Sequence, residues 1–242
     1  MINYEFPLNE KIRRFLRIEE IFSKIDYQQK SRQVFSEYGL FTLLFDLMTT
    51  ASRSDLKVEL LQTLDAEQIK LKNQRKSTKN NELIKKISSA KKNLEKSIIQ
   101  PGFYFGNDRL IQEIKARNDS PFGIVSTDFP ELRYWLEIEN KDIRKRYFHE
   151  KFTPFNTIKD AIKILLIIIR GEASFEKVET EQGFYQMKLN PLTKKDLLTI
   201  QLSSGSKFFP HISSNKYAIN MQFNDHKNIK IDKKIKFKLA IS

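Results

Sequence analysis

Two arginines near the amino terminus have the spacing of a cationic binding face. Arg13 and Arg17 are four positions apart, so in a helix they lie one above the other. Guanidinium groups bind carboxylates through charge-assisted hydrogen bonds that are often bidentate. Around them, apolar residues recur at helical spacing: Ile12, Phe15, Leu16, Phe22 and Ile25. This stretch therefore predicts a helix with one apolar face for the protein and one cationic face for a partner.

The residues that usually carry catalysis or bind metals do not form recognisable motifs. There is no cysteine, and His149, His211 and His226 are far apart and lack a metal-ligand spacing. No glycine-rich phosphate loop can be drawn. The segment Ser203–Ser206 lacks the glycine that a nucleophile elbow places two residues before its serine. The sequence therefore favours a binding protein without metal or cofactor over an enzyme.

The charge balance fits an anionic partner. The 242 residues include 43 Lys and Arg against 30 Asp and Glu, which gives a net charge of +13. Such an excess attracts acidic protein segments and polyanions. One alternative is a nucleic-acid-binding protein that uses the lysine-rich hairpin 70–96 and the tail Lys227–Lys238. Residues 70–96 contain no Phe, Tyr or Trp on which bases would stack, so a solvated charged face is favoured there.

Asn9 has the acceptor that an N-cap needs, and Glu10 follows where the helix dipole favours a carboxylate. After this first helix, a period of 3.6 continues to Gly171 and then changes to a period of 2. Such a change predicts an α+β fold with an antiparallel β-rich carboxy-terminal part. We expect a helical domain over 8–172, with a short strand near 122–127. The expected β-rich domain comprises 173–242 together with 1–7, which returns to the sheet as an edge strand. The predicted strands after Gly171 are 184–189, 197–202, 217–223 and 231–241.

The hydropathy pattern leads us to expect a cytoplasmic protein with no membrane partner. The first residues lack the basic and apolar runs of a signal peptide. The longest apolar run, Ile162–Ile169, contains Lys163 and is far shorter than the roughly 20 residues that cross a bilayer.

Several short stretches, spread nearly end to end, resemble the ZapD family of bacterial division proteins. They are Pro7-Leu8-Asn9-Glu10-Lys11-Ile12-Arg13 with Leu16-Arg17-Ile18-Glu19, Asp108-Arg109-Leu110, Phe129–Leu136, Gly183-Phe184-Tyr185-Gln186, and Phe209–Ser213 with Lys216. Members of this family are cytoplasmic homodimers with a helical part and a β-rich part. The resemblance implies that this chain binds the acidic and apolar carboxy-terminal tail of FtsZ, bundles FtsZ filaments and stabilises the division ring at mid-cell, without catalysis.

The resemblance also implies which residues contact the partner. The basic binding positions of the family fall on Arg13, Arg17, Arg53, Arg109 and Lys216. Relatives tend to carry arginines on the strand after Phe209–Ser213, where this chain has Ala218 and Gln222. Either that contact is weaker here, or Lys207, Lys216 and Lys227 replace it. Neutralising Arg13, Arg17 and Arg53 should abolish binding at a peptide site. Binding at a nucleic-acid site would instead be abolished by neutralising Lys85, Lys86, Lys91 and Lys92.

Overall fold

The α+β fold is confirmed by the computed structural model. It describes residues 1–30, 36–51, 55–74, 77–97, 105–118, 120, 123–125, 127 and 129–242. The chain forms two compact units. The first unit comprises Met1–Leu16 with Leu166–Ser242 and contains the strands, and the second comprises Arg17–Leu165 and is helical.

The described α-helices all end by Gly171. They are α1 (Glu10–Lys30), α2 (Ser36–Ala51), α3 (Asp55–Asn73), α4 (Thr78–Lys96), α5 (Arg109–Asn118), α6 (Pro130–Glu137), α7 (Lys141–Phe152) and α8 (Asn156–Gly171). Asn9 caps α1 as predicted, because its Oδ1 accepts a hydrogen bond from the Ile12 N–H at 2.9 Å. Among the described residues, no helix is both long and apolar enough to cross a membrane.

The short strand expected near 122–127 falls partly outside the described residues. The described residues of the segment 122–127 form no strand; Gly123 has a φ of +68°, which breaks an extended run. The helix α8 is open to solvent on one side, where Lys163 is exposed and Ile167 is 49% exposed. Its apolar residues instead form one buried face that includes Leu165 and Leu166.

The core of the helical unit contains a cluster of aromatic rings. Phe41 packs edge-on against Phe148 with ring centroids 4.9 Å apart, and Trp135 packs against Phe41 at 5.7 Å and Tyr147 at 5.4 Å. Such tilted contacts are the preferred geometry of aromatic pairs. Trp135 is itself only half-buried, and these contacts join α2, α6 and α7.

Asp108 ties the start of α5 to α7. Its carboxylate accepts hydrogen bonds from the Ile111 N–H at 3.1 Å and the Tyr147 hydroxyl at 3.1 Å, and it pairs with Lys151 at 2.6 Å. Partial burial acts to raise the pKa of Asp108, but hydrogen bonds and the charge of Lys151 outweigh it, so the pKa lies below 3.8. Burial and then the Asp108 charge raise the pKa of Tyr147, which stays a protonated donor.

We expect Asp108→Ala to lower the free energy of unfolding by about 2–3 kcal/mol, because it removes an N-cap and leaves Lys151 unpaired. The lowered pKa of Asp108 means that the carboxylate stabilises the fold above about pH 3.8, its unfolded pKa. That contribution is lost as the pH falls through the folded pKa. Urea unfolding at pH 7 and pH 3 measures both effects, and Asp108→Asn, which keeps the cap, should lose less. Equal stability of Asp108→Ala and the unchanged protein at pH 7 would contradict this role.

The strands form two antiparallel sheets. They are β1 (Ile2–Pro7), β2 (Glu176–Glu179), β3 (Phe184–Lys188), β4 (Leu197–Leu202), β5 (Phe208–Ser214), β6 (Ala218–Asp225) and β7 (Lys236–Ile241). The strand order is β1-β4-β7-β2 in one sheet and β3-β6-β5 in the other. The predicted return of the amino-terminal strand to a sheet edge is therefore confirmed. Apolar residues of both sheets share one core: Leu198, Ile200, Leu202, Ile219, Met221, Phe223, Ile235, Phe237 and Leu239.

Candidate functional site

A basic groove lies at one end of the sheet-bearing unit. It has a volume of about 390 Å³ and is lined by three segments that are distant in sequence. The junction between β1 and α1 contributes Arg13, the loop between β3 and β4 contributes Lys195, and the turn between β5 and β6 contributes Lys216. The apolar residues Leu8, Leu189 and Pro191 are also part of the lining. We call this feature the basic groove.

An asparagine side chain organises each of the three segments. Asn9 caps α1 with its Oδ1, and its Nδ2 donates to the Asp196 carboxylate at 2.7 Å. Asn190 accepts from the Leu192 N–H at 3.0 Å, and Asn215 accepts from the Ala218 N–H at 2.9 Å. Asparagine is favoured in such places because its side chain bonds the backbone a few residues on. The walls of the basic groove are therefore held by local hydrogen bonds.

The Arg13 side chain contacts Glu10 and Phe6 and is otherwise exposed to solvent. Its Nε lies 3.2 Å from Oε1 of Glu10, and its guanidinium carbon lies 5.9 Å from the centre of the Phe6 ring. The Arg13 side chain is still 53% exposed. Since the ion pair with Glu10 uses Nε, the terminal Nη groups can meet a ligand carboxylate. The carboxylate of Glu10 thus competes with a ligand carboxylate for the guanidinium group of Arg13.

Comparison with known proteins decides the family. Residues 16–222 match ZapD, described as a cell division protein. The chain belongs to the ZapD family. Its relatives include ZapD of Nitrosomonas europaea, 31% identical over 249 aligned residues that cover 99% of this chain and 94% of the relative. ZapD of Enterobacter sp. strain 638 is 29% identical over 99% of this chain and 98% of its own. ZapD of Azoarcus sp. strain BH72 is 28% identical over 92% of this chain and 90% of its own length. The chain is therefore a cell division protein.

Of the residues predicted from the resemblance to ZapD, Arg13 and Lys216 line the basic groove together. Arg17 is exposed on α1, one turn beyond Arg13, and no described carboxylate pairs with it. Arg109 is 79% exposed and lies 2.8 Å from Glu113; this hydrogen bond raises the Arg109 pKa, so its charge is permanent. Neither Arg17 nor Arg109 lines the groove. Arg53 lies outside the described residues.

Lys195 was missed by the sequence interpretation. It follows a turn and precedes β4, and no periodicity marks it as special. Only the strand register, in which Pro7 pairs with Leu197, brings the start of β4 beside the start of α1. Of the three lysines expected to replace the family's strand arginines, only Lys216 lines the groove, whereas Lys207 and Lys227 are exposed elsewhere.

The lysine-rich hairpin is a weaker candidate for a binding site in this member of the ZapD family. Some of its charge is neutralised within the fold, since Lys91 pairs with Asp65 of α3. Lys85 and Lys86 are exposed on α4. In the described part of the chain, no three His, Asp or Glu side chains are close enough together to hold a metal ion.

We expect Glu10→Gln to increase affinity for an acidic peptide by about two- to fivefold, because it frees Arg13 from an exposed ion pair of modest strength. A fluorescence-polarisation titration measures the change. Glu20→Gln is the matched control, since Glu20 pairs with Lys24 at 2.7 Å on the same helix and does not line the groove. If both variants change the affinity equally, the effect is one of net charge and the competition by Glu10 is disproved.

Proposed function

We propose that this protein binds the carboxy-terminal tail of FtsZ in the basic groove, without catalysing a reaction. As a homodimer, it would crosslink and bundle FtsZ filaments and stabilise the division ring at mid-cell in the cytoplasm. The observation that carries the proposal is the convergence of Arg13 and Lys216, from separate segments, on one groove that also has apolar walls. Membership of a cell division family supports it independently.

The chemistry of the groove matches a tail with both acidic and apolar residues. The terminal nitrogens of Arg13 suit a carboxylate, which guanidinium binds bidentately, and Lys216 adds a second positive charge. Leu8, Leu189 and Pro191 offer apolar surface in the same groove. A peptide that matched only the charge would leave this surface in water, so the groove favours acidic residues interleaved with apolar ones.

Bundling follows from two such grooves on one assembly. A twofold dimer presents the same surface twice, and FtsZ filaments carry many copies of the tail. Each dimer can then bind two tails, and the second binding event is favoured by a high effective concentration. The proposal retains Arg17, Arg53 and Arg109 as further partner-binding residues, on the resemblance alone, and single substitutions test each of them separately.

The direct test is a fluorescence-polarisation titration with the tail peptide of FtsZ from the same bacterium, at two salt concentrations. We expect saturable binding that weakens at higher salt, because ion pairs in solvent are screened. A duplex DNA of similar charge is titrated alongside. Saturable DNA binding without peptide binding would refute the proposal and favour the nucleic-acid function of the lysine-rich hairpin and the tail Lys227–Lys238.

A further inference from the structure

We infer that Lys195 is a third cationic residue of the peptide site and binds a carboxylate of the FtsZ tail. This inference rests on the proposed function and extends it to a residue on the loop between β3 and β4. Lys195 lines the basic groove with Arg13 and Lys216. Its side chain is exposed, and no carboxylate of the described residues forms an ion pair with it. Its charge is therefore available to a ligand.

The backbone of Lys195 is fixed relative to the helix that carries Arg13. The Nδ2 of Asn9 donates to the Lys195 carbonyl oxygen at 3.2 Å and to the Asp196 carboxylate at 2.7 Å. The Oδ1 of the same side chain caps α1 by accepting from the Ile12 N–H. One amide thus joins the end of the loop to the first turn of α1, and Arg13 belongs to that turn.

The residues after Lys195 are anchored as well. The Leu8 N–H donates to the Asp196 carbonyl oxygen at 3.0 Å, and the Asp196 N–H donates to the Ser242 carbonyl oxygen at 2.7 Å. Lys195 therefore combines a constrained main chain with a solvated side chain. Binding has to immobilise only that side chain, which keeps the entropic cost of recruiting its charge low.

Position, and not charge alone, distinguishes Lys195 from its neighbour. Lys194 is also an exposed lysine, but it does not line the groove. The two residues offer a matched pair for substitution, with equal changes of net charge one position apart. If long-range attraction alone mattered, the two changes would have equal effects on peptide binding.

The test is peptide titration of Lys195→Gln and Lys194→Gln at two salt concentrations, with thermal unfolding to confirm that both variants fold. We expect Lys195→Gln to weaken binding about five- to tenfold and to reduce its salt dependence, since one ion pair is lost. Lys194→Gln should stay within twofold of the unchanged protein, and Lys195→Arg should restore binding. Equal effects of the two glutamine variants, or a change of less than twofold in Lys195→Gln, would overturn the inference while leaving the proposed function intact. Absence of peptide binding by the unchanged protein would overturn both.

A second variant examines the hydrogen bonds that hold the loop. Asn9→Ser keeps an N-cap acceptor for α1 but lacks the amide that bonds both Lys195 and Asp196. If the anchored backbone makes Lys195 effective, Lys195→Gln should have less than half its effect when combined with Asn9→Ser. A full and additive effect in the double variant would show that Lys195 acts without that constraint, and would overturn this part of the inference.

Discussion

Gly183→Ala is expected to lower the free energy of unfolding by about 2–5 kcal/mol. Gly183 has a φ of +66°, and a Cβ atom built on it would lie 1.9 Å from the carbonyl oxygen of Ile231. The left-handed conformation costs an alanine about 1–2 kcal/mol, and relieving the overlap with a backbone atom costs about 1–3 kcal/mol more. A flexible side chain could move aside, but the clashing oxygen belongs to the backbone of Ile231. That backbone is held in place because the Ile231 N–H donates to the Phe223 carbonyl oxygen at 2.9 Å.

The measurement is thermal or urea unfolding of the purified variants. For a chain of this size, 3 kcal/mol corresponds to a fall in Tm of roughly 6–12 °C. Gly205→Ala is the control, because a Cβ atom added there would have no neighbour within 4 Å and the φ of Gly205 is not in the left-handed region. Equal melting temperatures for the two variants would show that the contact with Ile231 relaxes easily. The same contact explains why a glycine opens the stretch Gly183–Gln186.

Charge reversal of the basic groove is expected to abolish peptide binding. The double variant Arg13→Glu/Lys216→Glu should weaken affinity for the FtsZ tail on the order of 100-fold or more, because each charge-assisted hydrogen bond contributes about 1.5–3 kcal/mol and repulsion replaces it. Both side chains are exposed, so the fold should survive. Filament bundling, followed by light scattering and sedimentation, should fall in parallel.

Lys85→Glu/Lys86→Glu is the matched control for this variant. It changes the net charge by the same amount on exposed residues of α4, far from the groove in sequence. We expect it to bind the tail within about threefold of the unchanged protein at moderate salt. If the α4 variant loses peptide binding and the groove variant keeps it, the site has been assigned to the wrong surface. The affinities of the single variants Arg17→Glu, Arg53→Glu and Arg109→Glu for the tail peptide then show how much each remaining position contributes to binding.

The fold could be predicted from the sequence to the extent that its elements have a clear period. The stripe on α1 and the alternation in β6 are strong signals, and the cap at Asn9 follows from side-chain chemistry. Two strands were missed for physical reasons. β2 contains the single apolar residue Val178, and β5 contains Pro210, which cannot donate to a ladder. Both lie at the edge of a sheet, where the apolar pattern is weakest.

The candidate site could be predicted only in part, because a groove is a property of tertiary structure. Arg13 was found from its spacing on a helix, and Lys216 from the resemblance to ZapD. Lys195 has no local signature, and its position depends on the pairing of β1 with β4 and on the two hydrogen bonds of Asn9. The ion pair between Glu10 and Arg13 has the i,i+3 spacing of a helical pair, but that spacing alone does not reveal the groove beside it.

The pairing of β1 with β4 bears on how the chain folds as it leaves the ribosome. Asn3 and Gln201 face each other across that pair and are 198 positions apart. β1 therefore emerges early and has no partner until most of the chain has been made, whereas α3 and α4 can pair as soon as they are complete. Contacts of such long range close late and slowly. While β1 has no partner, its unpaired backbone N–H and C=O groups can pair with other nascent chains. Newly made protein is therefore most prone to mispairing in this interval.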